Sequence, residues 1–114
     1  AGRYAVSSKA ARTVDGIVFA SAAEARRYAE LKVFERAGVI FGLELQPEYE
    51  LQPAFAYGGR RERRIAYRAD FRYREDGQVV VEDVKGHRTA VYKLKRKLLL
   101  YRYPEIEFRE VTAR

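Results

Sequence analysis

Residues 65–85 read IAYRADFRYREDGQVVVEDVK, and their periodicity decides the fold. Ile65, Tyr67, Ala69, Phe71 and Tyr73 alternate with Arg68, Asp70, Arg72 and Arg74, the two-residue period of a strand with one buried face. Asp76-Gly77 is a turn dipeptide. It leads into the valine-rich run Gln78 to Lys85, which Gly86 ends. With a two-residue type I′ turn, Glu75 pairs with Gln78 and Asp70 falls opposite Asp83. Directly opposed residues share a face with Cβ atoms roughly 4.5–5.5 Å apart. Lys85, two residues beyond Asp83, shares that face, whereas Glu82 points to the other. Opposed like charges destabilise a sheet unless a proton, a neighbouring cation or a bound metal offsets them. Arg68 and Arg72 flank Asp70 in the pattern. A single ammonium beside the pair favours the metal, because a purely structural ion pair gains more from an arginine fork. An ordinary cross-strand ion cluster is the alternative.

Outward from this hairpin the chain reads as a mixed α/β domain. Thr13 to Phe19 sets Asp15-Gly16 between apolar pairs and predicts an N-terminal hairpin. Ser21-Ala22-Ala23-Glu24 has capping-box spacing. It opens a helix carrying Tyr28, Leu31, Phe34 and Ala37 on one face, and Gly38 stops it. From Leu43 the period becomes that of strands: Leu43, Leu45, Tyr49 and Leu51, with Pro47 marking an edge or bulge. A short strand, Ala54 to Tyr57, runs into Gly58-Gly59. After Lys85, Thr89 caps a helix from Ala90 to Tyr103, closed by Pro104, and Glu105 to Val111 is a last strand. Residues 1–12 lack periodicity and are expected to form a flexible basic arm, leaving 13–114 as one domain.

Composition narrows the partners. The chain has 114 residues and no cysteine, which excludes disulfides and thiolate metal sites. No apolar run reaches the ~18–20 residues of a membrane span. No secretory signal pattern is present either, so a cytoplasmic location is expected. The formal net charge is +7. All of the excess lies beyond residue 57, around Arg60, Arg61, Arg63 and Arg64, then Arg68, Arg72 and Arg74, then Lys93 to Lys97. A lopsided basic half points to a polyanion, nucleic acid first. A solvated surface on a heat-adapted protein is the other reading, and arginine in large excess over lysine fits it.

Asp70, followed at a distance by Asp83-Val84-Lys85 on the next strand, resembles the signature of the PD-(D/E)xK nucleases. Glu24 on the preceding helix, Gln46-Pro47 and the lysine-rich second helix extend the likeness to about residues 13–111. Over that length the chain is similar to phage-encoded, Holliday-junction-resolvase-like endonucleases. Ala69 stands where the superfamily name has proline. The resemblance implies a restriction-endonuclease-like core, helix, three strands, helix, strand, with a mostly antiparallel central sheet. It further implies Mg²⁺, or Mn²⁺ in its place, held by Asp70, Asp83, the Val84 carbonyl and Glu24, with Lys85 positioning the attacking water. For Glu24 a purely structural capping role is the alternative. Arg60, Arg61, Arg63, Arg64, Arg68, Arg72, Lys93 and Lys97 would hold phosphates, and Gln46 and His87 would support the site. The expected partner is branched DNA, resolved by a homodimer through paired nicks. The rivals are a nuclease of this fold acting on flaps, single strands or duplex, and a basic DNA-binding accessory without catalysis.

Overall fold

The computed structural model describes residues 7–113, and over these the chain is a mixed α/β fold of two helices and mostly antiparallel strands. β1 (Thr13–Val14) and β2 (Ile17–Val18) form the small hairpin, with Asp15 and Gly16 at positive φ in its turn. α1 spans Ala22–Arg36, and the Ser21 hydroxyl caps it by accepting from the Glu24 N–H. Gly38, at φ +77°, ends it, because the left-handed turn that satisfies the last carbonyls costs glycine no Cβ clash. Of the arm expected over residues 1–12, residues 1–6 lie outside the described residues. Residues 10–12 form a 3₁₀ turn, and Arg12 donates to the carbonyls of Ser7 and Phe19.

The middle of the chain is one long antiparallel ribbon. Its first limb comprises β3 (Phe41–Leu45), β4 (Glu48–Gln52) and β5 (Phe55–Tyr57). It turns at Gly58-Gly59 and returns as β6 (Arg60–Glu62), β7 (Ile65–Arg68) and β8 (Phe71–Glu75). Leu45 pairs with Phe71, Glu48 with Arg68, Gln52 with Ile65 and Tyr57 with Arg60. Between the segments, the Gln46 N–H donates to the Asp70 carbonyl (2.9 Å) and the Ala69 N–H to the Pro47 carbonyl (3.0 Å). The ribbon bends there, where Gln46 is left-handed (φ +51°) and Pro47 has no N–H to give a ladder.

The bend divides what the alternation predicts as one strand from Ile65 to Arg74. On one side of it, Phe71 and Tyr73 pack with Val80 against Tyr28 and Leu31 of α1. On the other, Tyr67 and Ala69 pack with Val81 and Leu99. Beyond it, β8 joins a four-stranded sheet in the order β10-β9-β8-β3, where β9 is Gln78–Lys85 and β10 is Glu107–Thr112. β9 is antiparallel to β8 and parallel to β10. α2 (Ala90–Arg102), capped by the Thr89 hydroxyl, makes the crossover between the parallel strands and packs on β4 and β7. The turn at Asp76-Gly77 gives the expected register: Glu75 opposite Gln78 and Phe71 opposite Glu82. The radius of gyration, 16.3 Å, exceeds the ~13 Å of a compact chain this long. No helix of the described residues is long and apolar enough to cross a membrane.

Glu82 lies on the α1 face of β9 and is fully buried. Arg27 of α1 meets it with a two-pronged guanidinium contact (2.8 and 2.7 Å), and the Tyr73 hydroxyl donates to it as well. Removing the guanidinium leaves a buried carboxylate without its counter-charge, which typically costs about 3–5 kcal/mol. Arg64, half-exposed between Glu48 and Glu50, is worth under about 1 kcal/mol. Urea denaturation should therefore show Arg27→Ala far less stable than Arg64→Ala. Equal losses would mean that the sheet does not rely on the buried pair.

Candidate active site

Where the ribbon leaves the sheet, a fork opens between β7 and the end of β9, and α2 lies along its side. The fork is an open cleft of about 460 Å³ whose lining includes Tyr67, Arg68, Asp83, Lys85, Tyr92 and Lys95. Asp83 comes from the α2 face of β9 and is 1% exposed. Its Oδ2 accepts from the Tyr67 hydroxyl. Its Oδ1 is buried with no hydrogen-bond partner among the described residues, an uncommon condition for a buried acceptor. Lys85 is half-buried, with its ammonium 4.5 Å above the Tyr92 ring.

Asp70 sits in the bend, one residue before β8 begins, so the β8–β9 ladder stops at Phe71–Glu82. Its backbone N–H donates to the Glu82 carbonyl (3.0 Å), and its Oδ2 accepts from the Val84 N–H (2.7 Å). The side chain thus takes the place on β9 that a further strand carbonyl would occupy. The N–H and C=O of one strand residue point to the same edge, so the Val84 carbonyl faces the Asp70 side. Asp70 is brought to the end of β9 as its sequence position suggests, but by a side-chain bond to the backbone rather than as a regular cross-strand partner of Asp83.

The electrostatics report crowding. Burial, then the charges of Asp70 and Asp83, push the Glu24 carboxyl up to about 7, against the opposing pull of Lys85. Burial likewise pushes Asp83 up to about 6, with Lys85 and the Asp70 backbone lowering it and Glu110 adding to the rise. Asp70 is raised by burial, partly countered by the Val84 N–H and by Lys85. The four groups Glu24, Asp70, Asp83 and Lys85 therefore share one field, although they come from α1, the bend and β9. Among the described residues, no three His, Asp or Glu side chains are gathered closely enough to enclose an ion. What the cleft itself presents is the Asp83 carboxylate, with Lys85 beside it; Asp70 is held at the end of the same strand by the Val84 N–H.

The remaining candidates separate by partner. Arg68 and Arg72 do not flank Asp70: Arg72 makes a two-pronged contact with Glu44, and Arg68 bonds Glu48. The register explains this, since each faces its glutamate directly across the ribbon and opposed unlike charges pair. Arg64 bonds Glu48 and Glu50. Arg60, Arg61 and Arg63 lie on the projecting ribbon, all exposed. Gln46 adjoins the site through its backbone bond to Asp70. His87 is exposed in the loop after β9. Lys93 and Lys97 line an adjoining hollow with Arg88 and Glu110, whereas Lys95 lines the cleft itself.

Tyr67 and Tyr92 are therefore cleft residues that the sequence pattern did not single out, and of the three helix lysines it is Lys95 that lines the cleft. Tyr67 and Tyr92 read as core residues by period, and both are buried. The available signal was chemical, because a buried tyrosine hydroxyl needs a partner. For Lys95 no signal was available, since helical spacing does not say which face meets the cleft.

A family described as a protein of unknown function (DUF1064) matches residues 6–113, and the chain belongs to that family. No curated protein matches it.

Carboxyls whose folded pKa exceeds the unfolded value hold protons that the unfolded chain has already released. Stability must then fall as pH rises through that interval. For Glu24 (4.5 to about 7) and Asp83 (3.8 to about 6), the interval runs from about pH 4 to pH 7. In chelator, the melting temperature should decline from pH 5 to pH 8, and Asp83→Asn should flatten the decline. A wild-type profile that rises over this range would contradict the crowding.

Proposed function

We propose that this member of the family is a metal-dependent DNA endonuclease of the PD-(D/E)xK kind, with Asp70, Asp83 and Lys85 at its centre. The observation that carries the reading is the buried Oδ1 of Asp83, which has no hydrogen-bond partner among the described residues, on a carboxylate that lines an open cleft together with Lys85. A binding module gains nothing from burying an unsatisfied carboxylate in a basic protein, whereas a cation site needs one. The element order supports the same reading. In the four-stranded sheet, α1 is followed by the antiparallel strands β3, β8 and β9, then by α2 and by β10 parallel to β9, an order compatible with the core that the resemblance implies.

The donor set fits Mg²⁺: Asp70, Asp83 and the Val84 carbonyl are hard oxygen ligands, and Glu24 would complete the set from α1. Bound there, the metal would neutralise phosphate charge and make water a better nucleophile. The protein's own groups do the rest. Tyr67 fixes the Asp83 carboxylate by its hydroxyl, leaving Oδ1 free. Tyr92 holds the Lys85 ammonium over its ring, so a compact positive charge stays at the cleft, where it can orient water and steady the phosphorane oxygens. Lys95 and Arg68, also lining the cleft, would attract the phosphodiester without reading bases. The resemblance gives branched DNA as substrate and a homodimer as the acting form, since a four-way junction requires two symmetric nicks.

Labelled four-way junction, flap and linear duplex, each incubated with the protein and Mg²⁺, should show paired nicks on the junction. Asp70→Asn and Asp83→Asn should bind without cutting, and Lys85→Ala should cut about 100-fold or more slowly, the scale of a missing transition-state donor. Cutting that survives both aspartate substitutions would refute the assignment. Flap or duplex cutting in preference to the junction would keep the site and change the substrate. Independently of cutting, Mg²⁺ should raise the melting temperature of the wild type at pH 8 but not that of Asp83→Asn.

A further inference from the structure

The outer ribbon, β5 and β6, does nothing for the core. Residues 55–65 are exposed without interruption, and neither core includes any of them. A two-stranded ribbon alone is marginal in water. This one persists because it continues β4 and β7, which α2 supports. Its side chains are an unusual set for a bare strand pair. Phe55 is 47% and Tyr57 76% exposed, and Tyr57 lies opposite Arg60. Arg61 pairs with Ala56 on the other face. Among the described residues, Arg60, Arg61 and Arg63 have no carboxylate partner, unlike Arg64, Arg68 and Arg72 further down the same limb. Three unpaired guanidiniums and a tyrosine thus gather at the tip of a projecting ribbon.

We infer that this ribbon is an arm that grips double-stranded DNA within about one helical turn of the cleft. The inference rests on the nucleic-acid reading proposed above and adds a second point of attachment to it. Shape and charge both favour a duplex as occupant. A two-stranded β-ribbon fits the major groove of B-DNA, and arginine is the side chain suited to phosphates lining a groove. Reach is compatible as well. Arg60 precedes Asp70 by ten positions along the returning limb, at most about 33 Å of strand, so the tip lies within about one duplex turn (~34 Å) of the site. A duplex seated at Asp83 and Lys85 and running along the ribbon would meet the tip within that turn.

The test measures binding in EDTA, so that no strand is cut. Fluorescence anisotropy compares the wild type with the triple variant Arg60→Ala, Arg61→Ala, Arg63→Ala on duplexes of about 8 and about 20 base pairs across a salt series. Thermal melts should coincide, because these three exposed side chains hold no carboxylate in the folded chain. The wild type should bind the longer duplex tenfold or more tightly, and the variant should lose that advantage. The variant's slope of log K against log salt should shrink by about 2–3, near 0.9 for each phosphate that an arginine no longer neutralises. A variant that keeps the slope and the length preference overturns the arm, even where the wild type cuts DNA. The expected change in a protein that never cuts would uphold the arm and remove the nuclease reading.

Discussion

The fold and the candidate site both depend on one backbone constraint, the bend at Gln46-Pro47 and Ala69-Asp70. A flat ribbon would stay in the sheet along its whole length, and α2 would have no separate layer to pack on. Left-handed Gln46 and donorless Pro47 turn one limb, while the bonds Gln46 N–H to Asp70 and Ala69 N–H to Pro47 carry the other limb with it. Ladder pairing resumes on both sides, so the bend costs few hydrogen bonds. It also opens the sheet at one point. There a side chain, Asp70, replaces a strand carbonyl on β9.

The two faces of β9 carry adjacent buried carboxylates, and the fold treats them oppositely. Glu82, facing α1, is fully engaged by Arg27 and Tyr73. Asp83, facing α2, has one oxygen engaged by Tyr67 and the other by no group among the described residues. Burying a charge is costly unless it is paired and hydrogen-bonded. Glu82 meets that condition within the chain, and its role is structural. Asp83 does not meet it among the described residues, and that asymmetry is what the proposed cation site would account for.

The arginines are sorted by a similar rule. Those whose cross-strand position is a glutamate, Arg68 and Arg72, are drawn into ion pairs along the ribbon. Beyond β4 the facing limb offers no acid to Arg60 or Arg61, which pair with Tyr57 and Ala56. The net charge of +7 therefore overstates the field near β8 and understates it at the tip. A charge count along the chain locates the basic half of this protein, and register decides which of its charges remain available to a phosphate.

Much was legible without coordinates. Two-residue and helical periods, Ser21 and Thr89 as caps, and Asp76-Gly77 as a hairpin turn specify both helices, most strands and the β8–β9 register from Glu75–Gln78 to Phe71–Glu82, because each is a local rule acting over a few residues. Tertiary structure alone decided where the ribbon bends, which core each half joins, and hence that Asp70 reaches β9 through the Val84 N–H. It also decided that Arg68 and Arg72 serve glutamates, that Lys95 rather than Lys93 or Lys97 faces the cleft, and that Tyr67 holds Asp83. Alternation records only that a side is buried. Which neighbour buries it depends on residues tens of positions away, whose approach no local pattern encodes.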